Sequence, residues 1–357
     1  MFARNVPFND LPPLPPTKAV ETPPVLKKAI AASRALAELK GMAERMPNQA
    51  MLIDSLVLQE ARASSEIENI LTTNDELFKA ASDEALPASP EAKEVLRYRL
   101  ALNFGFHEIQ KRPLATGMFV EIARIIKMAE FDIRRTPGTR IANSRNETIY
   151  TPPEGERVIR DKLRDLENFM HADDGLDVLV KMALVHYQFE AIHPFPDGNG
   201  RTGRILNILY LVDRKLLNLP VLYLSRHIID HKAAYYEGLR RVTEESAWED
   251  WVLYMLDAVQ QTSVRTQKQI TDILALMESV RELVQKQAPS VYSKDLIEQV
   301  FRQPYSKIQF LERAGMGTRQ TCAKYLRELE ALGVLKGQKI GREVYFINQG
   351  LFDLLTR

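Results

Sequence analysis

Between residues 193 and 204 the chain reads His193-Pro194-Phe195-Pro196-Asp197-Gly198-Asn199-Gly200-Arg201-Thr202-Gly203-Arg204, residue types whose spacing suits the handling of phosphates. Gly198, Asn199 and Gly200 fall where the chain turns into a new helix, so their backbone N–H groups can converge on an anion at the helix N-terminus. Arg201 and Arg204 stand three residues apart. They put two guanidinium forks on one helical turn, a geometry that suits phosphate oxygens. Asp197 immediately precedes them, and a carboxylate beside bound phosphates is what a Mg²⁺ ion needs to bridge protein and nucleotide. His193, four residues upstream, can take a proton from an incoming hydroxyl near neutral pH, a role worth about 10²–10⁴-fold in rate.

Rival readings of the segment fail on residues. Gly198-Asn-Gly-Arg-Thr-Gly203 matches the dinucleotide pattern G-x-G-x-x-G, but a helix rather than a strand precedes it and no acid follows about 20 residues on. A Walker loop needs lysine and Ser/Thr after its last glycine, and a protein kinase needs Asp-Phe-Gly. Both are missing. Glu190-Ala-Ile-His193 reads as half of a di-iron site without a second Glu-x-x-His, and His227 with His231 is a lone i, i+4 pair. A purely structural junction gains little from two arginines and an aspartate as exposed ion pairs.

The elements that must position this segment are helices. Apolar periodicity runs over Val178–Ile192 and stops at Pro194 and Pro196, and a new helix runs from Asn199 through Val212. The chemistry therefore sits on a loop between two helices. Helical pattern also covers Arg157–His171, the Ala-rich residues 29–38 and Met51–Leu58. Residues 137–153 interrupt the helices with turn formers around short β-capable runs, which predicts a small hairpin or flap. Seven of the 19 prolines lie between Pro7 and Pro24, an extended arm expected to pack on the body. A long helix around Trp251–Met277 leads to a break at Pro289 and a separate C-terminal unit. The expected organisation is mainly α: arm 1–24, N-terminal helical region 25–98, catalytic domain 99–262, connecting helix 263–288 and C-terminal domain 289–357.

Composition limits the function classes. A hydrophobic share of 45% with 27% charge is ordinary for a globular protein, and 48 Lys and Arg against 47 Asp and Glu leave no net polyelectrolyte character. Any affinity for nucleic acid must be local. The single Cys322 rules out an internal disulfide framework and a Cys-rich zinc site. With no run of about 18 apolar residues and no apolar leader, a soluble, cytoplasmic protein with no membrane partner is expected.

The twelve-residue segment resembles the signature of the Fic family, H-x-F-x-(D/E)-G-N-G-R-x-x-R, with every fixed position filled, and Phe189-Glu-Ala-Ile before it is also similar. The resemblance implies a Fic-type helical core with a β-hairpin flap. It further implies an enzyme moving AMP from ATP to a Ser, Thr or Tyr hydroxyl of a target protein, itself included, with release of pyrophosphate. His193 would be the base, Asp197 the Mg²⁺ ligand and Gly198–Gly200 the anion hole. Arg201, Thr202, Gly203 and Arg204 complete the nucleotide-binding segment, with the arginines on the β- and γ-phosphates. The flap would hold the target by strand addition. By position in the family pattern Tyr235 lines the adenine pocket, although a core-packing tyrosine fits as well. The family also allows a homodimer.

Ser64-Ser-Glu-Ile-Glu68-Asn69 resembles the inhibitory motif (S/T)-x-x-x-E-(G/N) of many Fic proteins. Glu68 would then pair with Arg204 and compete with the γ-phosphate, leaving a transferase held in check. The same glutamate assists removal of AMP in some members, so that reverse activity stays open.

From Ser290 the order helix (Lys294–Arg302), helix (Ser306–Ala314), helix (318–332) and two β-capable runs resembles a winged helix-turn-helix. The unit holds 11 Lys and Arg against 7 Asp and Glu, including Arg319, Lys324, Lys336, Lys339 and Arg342. DNA binding and protein docking both remain open, and Glu328 and Glu330 on the third helix favour docking. A nucleotide-sensing DNA-binding regulator is the alternative function. An intact His193 argues against it, because binding alone needs no base.

Overall fold

Pro23 starts the first helix, a place where its missing N–H is no loss. The structure, a computed structural model, describes residues 2–46, 49–83, 88–143, 145–340 and 343–356. Helix α1 (Pro23–Glu44) buries Val25, Ala29, Ala32, Leu36 and Leu39 along one stripe. Helix α2 (Gln49–Ile67) follows, then α3 (Asn74–Ser82), capped by the Thr73 hydroxyl on Glu76 N at 3.2 Å. Ser89 caps α4 (Pro90–Glu108) in the same way, accepting from Ala92 N at 3.1 Å. After α5 (Thr116–Lys127) come the strands β1 (Ile141–Ala142) and β2 (Thr148–Tyr150). They pair antiparallel with Ile141 opposite Tyr150, giving the expected hairpin.

The centre of the molecule is α7 (Val178–Ile192), which follows α6 (Glu156–His171) and is buried nearly all round. Such a helix is a core element, and a hydrogen bond from Trp251 Nε1 to Ala183 O ties it to the next layer. Against it packs α8 (Asn199–Asp213), followed by α9 (Leu224–Asp230), α10 (Lys232–Glu245) and α11 (Trp248–Gln287). The long α11 lies along α1. The arm before α1 is packed as expected, with Leu11 and Val20 buried and the Pro12 carbonyl accepting from Gln188 Nε2 at 2.8 Å.

The C-terminal unit comprises α12 (Lys294–Phe301), β3 (Tyr305–Ser306), α13 (Ile308–Arg313), α14 (Arg319–Ala331), β4 (Lys336–Ile340), β5 (Glu343–Ile347) and α15 (Gln349–Thr356). Its antiparallel sheet has the order β3-β5-β4. The unit rests on α3: the Tyr345 hydroxyl donates to Asp83 at 2.6 Å, Lys307 pairs with the same carboxylate, and the rings of Phe78 and Phe352 meet at 5.7 Å.

Several expectations need correction. The boundary at residue 98 falls inside α4 and the one at 262 inside α11, because both helices run unbroken through those points. Ser306 is not helical, since its backbone pairs with Phe346 and the helix begins at Ile308. Helix α15 was not foreseen. Arg342 of the expected basic face lies outside the described residues, whereas Lys324, Lys336 and Lys339 are exposed. No helix among the described residues is long and apolar enough to cross a membrane.

Candidate active site

His193 closes α7 in the left-handed region (φ 50°, ψ 58°), its N–H donating to Phe189 O at 3.0 Å. Arg134, 4% exposed, secures this turn. Its Nε donates to His193 O at 2.7 Å, and one terminal nitrogen reaches Ile192 O at 3.3 Å and the Pro153 carbonyl at the base of the flap. These are the carbonyls a helix end leaves unpaired. Desolvation, then the Arg134 charge, push the His193 imidazole down to about 4, so it is neutral and able to accept a proton at ordinary pH. Its Nδ1 is buried without a hydrogen-bond partner among the described residues.

The loop is stapled from within. Asn199 Nδ2 donates to Phe195 O and its Oδ1 accepts from Phe195 N, both at 2.8 Å. Its side chain is therefore a loop brace rather than an anion ligand. Gly198 (φ +80°) takes the left-handed conformation that favours glycine, and its N–H is engaged by Asp197 Oδ1 at 2.5 Å. The expected anion nest thus has one donor already taken.

Asp197 is exposed and pairs with Lys127 Nζ at 2.7 Å. Burial pushes its carboxyl up, but Lys127 outweighs this and leaves it below the usual range. Arg201, 2% exposed, is held by Glu94 at 2.6 Å, a carboxylate that Lys127 also contacts at 3.1 Å. Arg204, equally buried, donates from Nε to Ser64 Oγ at 2.7 Å and from one terminal nitrogen to Ser64 O at 2.9 Å and Glu68 Oε1 at 2.8 Å. The expected pair of Glu68 with Arg204 is present. Burial raises the Glu68 carboxyl, but Arg204 more than offsets it and keeps the group ionised.

Glu68 sits on the turn that ends α2. Glu68 N, Asn69 N and Ile70 N donate at 3.0 Å to carbonyls of Ser65, Glu66 and Ser65, and Asn69 has φ 62°. Asparagine and glycine are the residues that tolerate this helix-ending conformation, which gives the last motif position a backbone reason.

Residues 113–211, the stretch carrying this loop, match the Fic/DOC family model; residues 26–107 match the Fic/DOC family N-terminal domain; and residues 276–351 match the C-terminal domain of SoFic-like protein adenylyltransferases. The chain belongs to the Fic family. Over 70 residues it is 43% identical to a probable protein adenylyltransferase of Aquifex aeolicus, covering 20% of this chain and 22% of the relative. Over 92 residues it is 32% identical to protein adenylyltransferase fic-1 of Caenorhabditis elegans, covering 25% of this chain and 17% of that one. The matched stretches thus span about a fifth of each curated relative. A crystal structure of a Fic family protein from Desulfovibrio desulfuricans G20 superposes with a TM-score of 0.57 at 19% identity, covering 94% of this chain and 98% of that one, which shows the fold.

Two cavities flank the Fic loop. One, of about 330 Å³, has walls rich in aromatic and aliphatic side chains, among them Ile149, Tyr187, Tyr236 and Leu239. The other, of about 380 Å³, is polar and holds Asp197, Gly198, Arg201, Glu94 and Lys127. Both reach His193, Glu68 and Gly200, so Glu68 stands where they meet. A Cβ on Gly200 would come within 2.4 Å of Glu68 Oε1. Tyr235 lines the apolar cavity and is also a core residue, with its hydroxyl 2.9 Å from His186 Nε2. Thr202 and Gly203 line neither cavity. Thr202 is buried, and a Cβ on Gly203 would meet Glu190 Oε1 at 2.5 Å and the Phe189 ring at 3.1 Å, so Gly203 lets α8 approach α7 closely.

Sequence reasoning missed Arg134, Glu94 and Lys127, and met Glu190 only as half of a rejected di-iron site and as part of the family resemblance. Glu190 lines the apolar cavity, its Oε1 has no hydrogen-bond partner among the described residues, and desolvation pushes its carboxyl up to about 7.

Proposed function

We propose that this chain is a protein adenylyltransferase whose apolar cavity takes the nucleoside of ATP and whose polar cavity takes the phosphates. The observation that carries this reading is the junction of the two cavities at a single neutral base, His193. A target Ser, Thr or Tyr hydroxyl gives its proton to His193 as its oxygen bonds to the α-phosphorus. The bond from that phosphorus to the bridging oxygen breaks, and pyrophosphate leaves with its charge facing Arg201 and Arg204. Little covalent work falls to the protein, and rate comes from positioning and electrostatics.

The residues present fit a Mg²⁺ ion. Asp197 offers an ionised hard-oxygen donor to the polar cavity, and no group of three or more metal-ligating side chains occurs among the described residues. One carboxylate completed by substrate phosphates and water is the habit of Mg²⁺ rather than of an all-protein cage. The ion would neutralise charge on the phosphates.

Glu68 is the brake in this reading, since the Arg204 it occupies is the one that would face the γ-phosphate. A charge-assisted contact contributes about 1.5–3 kcal/mol, and with 36% of the Glu68 side chain exposed the effect lies near the low end. Glu68→Gly should therefore raise AMP transfer about tenfold. With ATP labelled on the α- or the γ-phosphorus, only the α-label should mark protein, and His193→Ala should lose it. Marking by the γ-label, or undiminished transfer by His193→Ala, would sink the proposal.

A further inference from the structure

The apolar cavity runs along α10, whose residues Tyr235, Tyr236, Leu239, Arg240, Thr243 and Glu244 line it at four-residue spacing. Nine helical steps place Glu244 about 13 Å beyond Tyr235. Arg204 and Glu68 lie beside Tyr235, and Glu68 is where the two cavities meet, so a nucleoside entering from the polar cavity directs its base toward Glu244.

The chain that meets Glu244 at that far end is the N-terminal arm. Phe2 is half-buried and lines the cavity. Its ring is stacked on that of Tyr150 in β2 (5.8 Å between centroids, 22° between planes) and edge-on to Phe8 at 5.2 Å. Three contacts hold the arm that follows it. Thr151 Oγ1 donates to Arg4 O at 2.6 Å, Phe8 N donates to Thr151 O at 3.0 Å, and the Arg4 guanidinium pairs with Glu244 at 2.7 Å. The arm thereby joins the flap to α10 across the end of the cavity.

We propose that Phe2 is a specificity-determining residue of the nucleotide site, forming the aromatic wall against which the purine base packs, with Arg4 as the positioning residue that holds it. Every base presents a π-face, and an aromatic ring already stacked on a second ring meets it with little further loss of freedom. The inference rests on the reading of this cavity as the nucleoside site.

The test is direct binding of ATP and of tripolyphosphate to the full chain carrying Glu68→Gly, by calorimetry. Phe2→Ala should weaken ATP about tenfold or more, the size of a lost base–aromatic contact, and leave tripolyphosphate within about twofold. Phe2→Trp should bind ATP as the parent does, and Arg4→Ala should fall between. Unchanged ATP affinity in Phe2→Ala, equal losses in the Ala and Trp variants, or a parallel loss of tripolyphosphate affinity would each overturn the proposal. Binding needs no turnover. A parent that binds ATP yet transfers no AMP would end the transferase reading and leave the Phe2 result standing on its own.

Discussion

The Fic loop and the turn that faces it are built on opposite plans. Residues 192–200 are pinned by a buried guanidinium on two successive carbonyls, by the Asn199 staple and by the Asp197 contact to Gly198 N. The turn at Glu68 and Asn69 is exposed, and side chains reach it from outside at few points: Lys232 Nζ on Ile67 O at 2.7 Å, Arg62 Nε on Thr72 O at 3.3 Å and Arg204 on Ser64 and Glu68. Preorganised donors are worth most when they need not rearrange during reaction, whereas a brake must be able to leave. In the proposed reading the turn is the releasable side, and Arg204 on α8, next to the loop, is the residue it holds.

Arg134 gives the sharpest way to break this contrast. Arg134→Ala strips donors from the carbonyls of Ile192, His193 and Pro153, and buried unpaired carbonyls cost about 1–3 kcal/mol each. Urea unfolding should show a loss of about 3 kcal/mol or more. In the Glu68→Gly background kcat should fall at least about 100-fold, while the Kd for ATP moves only severalfold. With the guanidinium gone, the His193 pKa should rise from about 4 toward its ordinary value, and the acidic limb of the rate profile should move up with it. A rate within tenfold of the parent and an unmoved limb would mean that the loop holds its shape without Arg134.

Glu190 tests the cost of the rigid side. Its folded pKa of about 7 lies above its ordinary value of 4.5, raised by desolvation. Its contribution to stability is therefore full below about pH 4.5 and is lost as pH rises through about 7. Access of solvent from the cavity keeps the difference to about 1–2 kcal/mol. His193 has the opposite sign, its contribution being present above about pH 6.5 and lost as pH falls toward 4. The wild type must therefore be compared with Glu190→Gln by denaturant unfolding across pH 5–8. The Gln variant should gain relative stability with rising pH, and parallel curves would show that Glu190 is solvated after all.

The two regions also differ in how far they could be read from sequence. The loop's contiguous motif brought His193, Asp197, Arg201 and Arg204 together, and the helix stop at Pro194 and the new start at Asn199 follow from local rules. The pairing of Glu68 with Arg204 was legible only through the resemblance of a short motif 136 residues away. Arg134, Glu94 and Lys127 were not legible, because in sequence each reads as ordinary surface charge. Only the packing of α4 and α5 on α8 brings Glu94 and Lys127 to the loop, and Arg134, in the irregular chain between α5 and β1, is tied to it by its contacts with Ile192 O and His193 O. The same holds for Phe2, whose neighbours in sequence say nothing of α10. Strand β3 is two residues long, too short to show a period, and so was absorbed into the following helix. The closeness of Gly203 to Glu190 on α7 was not legible either, because a motif does not distinguish a residue that touches ligand from one that lets two helices approach.

Asn69 offers the smallest and most local test of the releasable side. Its side chain is exposed, so replacing it alters little beyond the backbone preference. Alanine at φ 62° costs about 1 kcal/mol relative to asparagine or glycine, a strain relieved when the turn opens. If opening of this turn is what frees Arg204, Asn69→Ala should shift the closed-to-open balance by that amount and raise basal AMP transfer about fivefold. Asn69→Gly keeps the left-handed conformation without strain, and its transfer rate should stay within about twofold of wild type. Transfer by Asn69→Ala equal to wild type, with thermal unfolding lowered as expected, would show that the strain is borne without opening. The brake would then be released at the Glu68 side chain alone.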